Sequence, residues 1–238
     1  MLNKTEVHSG IIGSGFAAAF HFEAIRRVFG VRAVIRGVYS PNPENAEAFA
    51  GKRGLKAWKS LDSLLDEVDV LHVCAPPYAH EEIVIATLER GKNAIVEKPL
   101  TGYFGDGRAN FNGSDQPTET VLEQAVSSVG RMRAAERNNA GRILYAENWI
   151  YAPSIQKERE IIEKTQAQIL WMHGEEAHSG SHSEAYGFWR LAGGGSMIGK
   201  GCHPLTAALY LKRVEGRARN MAPIRPSTIS ARTHKITQ

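Results

Sequence analysis

The sequence predicts an α/β protein, with a doubly wound parallel sheet over residues 1–147 and a partial α+β domain with a mainly antiparallel sheet over residues 148–238. Three observations carry this prediction. Strand-length apolar runs alternate with helix-period segments from Val7 to Val96, the pattern of parallel strands joined by right-handed helical crossovers. A glycine-rich turn, Gly13-Ser14-Gly15-Phe16-Ala17-Ala18, stands between the first strand and the first helix. After Trp149 the alternation stops, giving way to a charged helix, isolated strand-like runs and a second glycine-rich stretch.

The elements follow in order. Val7 to Ile12 is a short buried strand. From Phe16 onward, Phe16, Phe20, Ala24, Ile25, Val28 and Phe29 recur at helical spacing, with Gly30 as the closing cap. Val31 to Tyr39 reads as a second strand, Pro43 to Ala50 as a helix and Leu55 to Trp58 as a short strand; Ser60 caps a helix over Leu61 to Glu67. Val68 to Ala75 is an almost unbroken apolar run stopped by Pro76-Pro77, as expected of a strand covered on both faces. His72 inside it reads as a core residue rather than a ligand. A helix from Glu81 to Arg90 ends at Gly91, and the strand Asn93 to Val96 delivers Glu97-Lys98-Pro99. Thr101 to Thr118, rich in Gly, Asn, Asp and Ser, reads as an exposed loop. A helix over Glu119 to Asn138 and a strand over Arg142 to Glu147 close the first domain. Beyond it, Pro153 to Lys164 is a helix, Gln168 to His173 a strand, Gly193 to Pro204 the lead into a helix through Leu211, and Ser227 to Ile236 a strand.

Composition narrows the class. Hydrophobic residues at 42% and charged residues at 23% are globular values and exclude a disordered chain. No run approaches the roughly 18 apolar residues of a membrane span, and Met1 to Gly10 is unlike a secretory leader. No membrane association and a cytoplasmic location are the expectations. Cys74 and Cys202 form no paired-cysteine spacing, so free thiols are expected rather than a disulfide or zinc framework. The net charge of +4 is scattered apart from Lys212-Arg213 and Arg217 to Arg219, a solvated face that gives no reason to expect a nucleic-acid partner.

Gly13, Gly15 and Ala18 make a G-x-G-x-x-A pattern in its required setting, strand before and helix after. There the pyrophosphate of a dinucleotide rests on the helix N-terminus. Ser14 and Phe16 belong to the same turn. Ser40, at the end of the second strand, falls where the adenosine ribose would lie; with no Asp or Glu there, NAD and NADP both remain open, and Lys52 and Arg53 are candidates for a 2′-phosphate. Ala75, Pro76, Pro77 and His80 after the buried strand, with Glu97 and Lys98, complete the expected cofactor set.

Together, Gly13-x-Gly15-x-x-Ala18, Glu97-Lys98-Pro99 and Gly193-Gly194-Gly195 leading to Gly201-x-His203 resemble the glucose-fructose oxidoreductase, inositol dehydrogenase and MocA (Gfo/Idh/MocA) family. The resemblance implies a nicotinamide-binding first domain and a second domain whose open sheet shapes the substrate site and supports a homo-oligomer, dimer or tetramer. Family members are usually longer, so a C-terminally truncated chain is expected. The implied reaction passes hydride between NAD(P) and a polyol, sugar or related secondary alcohol. Alternatives are an NAD(P)-binding sensor or scaffold without turnover, and a sugar-processing enzyme that uses bound NAD transiently.

Residue by residue, the resemblance maps the proton-handling lysine onto Lys98 and implies a cis Lys98-Pro99 bond. It normally places an Asp four residues before the histidine, and Gly199 stands there instead. His203 becomes the leading general base, against a reading as a helix-start histidine bonded to backbone. Lys200 either replaces the lost acid/base function or is a solvated lysine. Tyr151 and Lys157, in Tyr-x-Pro-x-x-x-Lys, lie where family members contact substrate; helix packing and a solvated face are the competing readings. Glu175, Glu176, His178 and His182 match no zinc pattern. No metal is expected, and His178 is assigned to substrate binding.

Overall fold

A computed structural model describes residues 5–177, 179–180 and 183–234. The chain divides into two compact units, one from the described residues of 1–146 and 178–200, the other from those of 147–177 and 201–238.

The first unit is built on a parallel sheet of β1 (Glu6–Ile12), β2 (Arg32–Tyr39), β3 (Val70–Val73), β4 (Asn93–Val96) and β5 (Ile143–Tyr145), in the order β2-β1-β3-β4-β5. Helices cover both faces. Helices α1 (Phe16–Ile25) and α2 (Pro43–Gly51) enclose Ile11, Ala18, Phe22, Ile25, Val38 and Phe49. On the other face, α3 (Leu61–Leu65), α4 (His80–Glu89) and α5 (Thr118–Asn138) enclose Leu64, Leu65, Leu71, Val73, Leu88, Val96 and Met132. Local chemistry sets the helix starts: the Asn42 side chain accepts from the N–H of Asn45, and Ser60 Oγ accepts from that of Ser63. The strand order reverses beside β1, which opens a crevice at the C-terminal ends of β1 and β3, the place where doubly wound sheets bind ligands.

Several sequence expectations change here. Helix α1 stops at Ile25. Its buried stripe is Ala18, Phe22 and Ile25, whereas Phe16, Phe20, Val28 and Phe29 are exposed, so the apolar spacing marked the wrong face. Gly30 lies beyond the cap, at φ 98°. Leu55 to Trp58 contributes one bridge, Ala57 to Val38, in place of a strand. The 101–118 loop is partly covered: Gly102, Phe111 and Gly113 are buried. It packs on α7 (Trp189–Ala192), where Trp189 Nε1 donates to the Tyr103 carbonyl at 3.0 Å. A Cβ on Gly102 would stand 2.6 Å from the Gly193 carbonyl, so this approach requires glycine.

In the second unit, α6 (Pro153–Thr165) packs on α8 (Cys202–Ala218) around Ile162, Leu211 and Val214. Among its described residues there is no strand. The antiparallel sheet expected here is thus not seen among the described residues, which form helices and extended segments. Gln168 to His173 has no neighbouring strand among the described residues. Instead the Ile169 N–H donates to Glu215 at 3.2 Å and its carbonyl accepts from Lys212 Nζ at 3.2 Å, while Leu170 and Trp171 are exposed. The described part of Ser227 to Ile236 is equally unpaired and exposed. Helix α8 runs to Ala218, past the expected end at Leu211. No helix among the described residues is long and apolar enough to cross a membrane.

Candidate active site

The crevice begins at Gly13. Its φ of +105° suits glycine, and a Cβ there would lie 2.6 Å from the Cys74 carbonyl at the end of β3. Its N–H donates to the Tyr39 carbonyl at 2.8 Å, tying the turn to β2 as well. Gly15 precedes α1 in an extended conformation with no side-chain cap, no acidic residue follows in the first turn, and nothing lies within 4 Å of where its Cβ would be. The start of α1 thus carries neither a capping side chain nor an acidic residue, which fits an anionic pyrophosphate. Ala18 is fully buried, which lets α1 sit close to the sheet.

Ser14 Oγ lies 3.4 Å from Ser40 Oγ, so the turn and the end of β2 meet as expected. Phe16 is exposed and packs against Phe20, ring centroids 4.7 Å apart. Arg53 lies 3.8 Å over the Phe49 ring and donates to the Phe49 carbonyl. Ala75 is half-buried, Pro76 exposed, and Pro77 buried at the start of a short 3-10 turn before α4. His80 is fully buried, with Nδ1 3.0 Å from the Pro99 carbonyl and Nε2 2.9 Å from the Ala75 carbonyl. Burial holds its pKa below the ordinary value. The residue links the end of β3 to the Lys98-Pro99 bond, which is cis.

A chain of hydrogen bonds runs from inside the sheet to Lys98. His72 Nδ1 and His21 Nδ1 are 2.8 Å apart, His21 Nε2 is 3.0 Å from Glu97 Oε1, and Glu97 Oε2 accepts from the Lys98 N–H at 3.0 Å. Burial, then the charge of His21, lowers the His72 pKa to about 3. Which ring donates within the His72–His21 pair is set by the tautomers of the two imidazoles. Lys98 Nζ donates to the Gly199 carbonyl at 2.7 Å and lies 5.3 Å from the centre of the Tyr186 ring, whose hydroxyl donates to the Lys98 carbonyl at 3.2 Å. Lys200 is half-buried in the π-helical turn Met197–Gly201.

In the second unit His203 is buried near the start of α8. Its Nδ1 lies 2.7 Å from Glu147 Oε1 and 2.8 Å from Oε2, and its ring stacks on Trp149 at 5.6 Å and 9°. Ligand atoms of Glu147, Cys202 and His203 lie within 4.8 Å of one another, a set of a kind that zinc accepts. Here those groups are joined by hydrogen bonds. Tyr151 is exposed, and Lys157 pairs with Glu160 at 2.9 Å on the exposed side of α6; neither bonds to His203. His178 and His182 lie outside the described residues.

The match to known proteins falls on the crevice unit: residues 7–113 fit the oxidoreductase family, NAD-binding Rossmann fold, of Gfo/Idh/MocA proteins. A glucose-6-phosphate 3-dehydrogenase of Bacillus subtilis (strain 168) is 35% identical to the chain over 91 residues, 38% of this chain and 25% of that protein. An inositol 2-dehydrogenase of Leifsonia xyli subsp. xyli is 30% identical over 103 residues, 42% of this chain and 30% of that protein. The solved structure of GenD2 from gentamicin A biosynthesis, in complex with NAD, shares the fold with a TM-score of 0.68 at 20% identity, over 89% of this chain and 55% of that one. The chain thus spans between a quarter and about half the length of these relatives.

Sequence reasoning missed Glu147, the His21–His72 contact and Tyr186. Each meets its partner across 51 to 88 residues of chain, and none carries a local spacing signal. The one cue was His72, a titratable group inside an apolar run.

Proposed function

We propose that this protein is a nicotinamide-dependent oxidoreductase that passes hydride between NAD(P) and the secondary alcohol carbon of a sugar or polyol. The observation that carries the reading is the α1 N-terminus, without a capping or acidic side chain, beside the close Gly13–Cys74 approach, a cradle for the cofactor's pyrophosphate within the matched domain. When bound, the nicotinamide supplies the hydride acceptor or donor. Lys98 orients the substrate hydroxyl and His203 takes its proton, with Lys200 as an auxiliary cation and Tyr151, Lys157 and His178 as substrate contacts. Gly13, Ser14, Gly15, Phe16, Ala18, Ser40, Ala75, Pro76, Pro77, His80, Glu97 and Lys98 form the cofactor set. The names of the glucose-6-phosphate and inositol dehydrogenases support the substrate class. Cys74 and Cys202, which form no disulfide, support a reducing, cytoplasmic setting, and exposed Leu170 and Trp171 support a homo-oligomer.

Fluorescence titration with NADH and NADPH tests cofactor binding, and sugars, inositols and diols followed at the reduced-nicotinamide absorbance test turnover. Lys98→Ala is expected to lower kcat about 10²- to 10⁴-fold while NADH still binds. Turnover unaffected by this change removes Lys98 from the mechanism, and absence of binding to either nucleotide removes the function.

A further inference from the structure

The surroundings of His203 are asymmetric. On one side, Nδ1 faces both oxygens of Glu147, a side chain 1% exposed, and Oε1 of that carboxylate also accepts from the Trp149 N–H at 3.0 Å. On the other side, Nε2 makes no hydrogen bond to any described residue, and it is not among the sealed polar atoms. Trp149, stacked parallel to the ring, restricts its tilt. Burial by itself would raise the Glu147 pKa, but the His203 ring, the Trp149 N–H and the Cys202 thiol hold it lowered, so the carboxylate is ionised and acts as acceptor. A carboxylate that accepts only requires the proton of a neutral His203 to reside on Nδ1, and this leaves a lone pair on Nε2.

We propose that Glu147 is the positioning residue of His203: it fixes the Nδ1–H tautomer and ring orientation, so that Nε2 is the atom that takes the substrate proton. The inference rests on the reading of His203 as the proton acceptor. In that step the alcohol O–H bond breaks as an Nε2–H bond forms, while the C–H electron pair leaves as hydride to the nicotinamide; the imidazolium is then stabilised by the Glu147 carboxylate. The carboxylate comes from the segment just after β5, 56 residues before the histidine. Gly199, where the family resemblance places an aspartate, carries no side chain and offers its carbonyl to Lys98.

The test is ¹⁵N–¹H correlation NMR of the full chain at neutral pH, with His203→Asn to assign the ring signals. The wild type is expected to show His203 as the Nδ1–H tautomer with an unprotonated Nε2. Glu147→Gln is expected to shift the population towards Nε2–H, and Glu147→Asp to retain Nδ1–H. With a turned-over alcohol, Glu147→Gln should lower kcat about 10²- to 10⁴-fold and leave KM within about twofold, because the lost interaction acts on the base rather than on substrate binding. If the glutamine variant does not fold, the wild-type tautomer and the aspartate variant decide. An Nε2–H tautomer in the wild type overturns the proposal. So does stoichiometric uptake of added Zn²⁺ with loss of the Nδ1–H signal, which would make Glu147, Cys202 and His203 a metal site. The expected tautomers without turnover of any alcohol uphold the positioning role and reject hydride transfer.

Discussion

In the parallel-sheet unit the buried titratable side chains among the described residues are the imidazoles of His72 and His80 and the thiol of Cys74, beside an apolar core that includes Leu71, Val73, Leu88 and Val96. In the helical unit they are the carboxylates Glu147 and Glu215, beside His203 and a smaller apolar cluster of Ile162, Leu211 and Val214. Glu215, 1% exposed, accepts from Lys212 at 2.5 Å, Arg219 at 3.2 Å and the Ile169 N–H at 3.2 Å. The sheet unit is therefore specified mainly by apolar burial with neutral polar groups inside it. The helical unit relies on charges that hold its helices and its extended segment in register. Removing a partner from such a buried carboxylate leaves a desolvated charge, so the two units fail for different reasons.

The largest expected effect separates the two glycines of the sheet unit. Gly13→Val sets a branched side chain against the Cys74 carbonyl at a positive φ. Strain of about 1–3 kcal/mol plus overpacking of about 1–3 kcal/mol should appear as a lower melting temperature together with loss of NADH binding. Gly15→Ala meets no protein atom within 4 Å. Its melting temperature should stay put while the NADH dissociation constant rises about tenfold, or about 1.4 kcal/mol. Equal destabilisation by both changes would show that the turn is limited by folding rather than by ligand approach.

Glu215→Gln probes the helical unit. It should cost about 1–3 kcal/mol, read by hydrogen exchange as faster opening of 201–218 with protection of β1, β3 and β4 unchanged. Loss of protection in both regions together would abolish the contrast between the units.

Acid titration sharpens the comparison further. His72 has a folded pKa of about 3 against an ordinary value of 6.5, so the unfolded chain takes up the proton first. Its contribution is whole above about pH 6.5 and falls by about 1.4 kcal/mol per pH unit below that, down to about pH 3. Glu147 and Glu215 are shifted below the ordinary 4.5, by hydrogen bonds that outweigh the effect of burial. Their contribution is whole above that value and is lost as pH falls through it. The sheet unit should thus begin to lose protection at a higher pH than the helical unit, and His72→Leu should flatten its upper slope. Simultaneous loss from both units near pH 4 would refute the assignment.

The sheet unit was largely legible in the sequence because its signals are local. The Val68 to Ala75 run, the Ser60 cap and the Gly13 turn each state their conformation within a few residues. The face of α1 was misread because Phe16 and Phe20 outweigh Ala18 in bulk, although the small residue is the one that fits against the sheet. Gln168 to His173 has the apolar content of a strand, yet strand formation depends on a neighbour, and Ile169 bonds to α8 side chains instead. The Glu97-Lys98-Pro99 turn announced itself as a motif, whereas Glu147 did not. Its meaning comes from His203, and contacts across 56 residues leave no trace in spacing.

Lys98 is gripped by a carbonyl dipole and faces an aromatic ring, partners that orient an ammonium without cancelling its charge. Glu97, the adjacent carboxylate, directs its oxygens to the Lys98 N–H and to His21. The combined field of the ammonium and the carboxylate beside it is screened over a Debye length of about 8 Å at physiological ionic strength. Anionic ligands would feel that field before contact, so the rate at which they are captured becomes a function of dissolved salt as well as of shape.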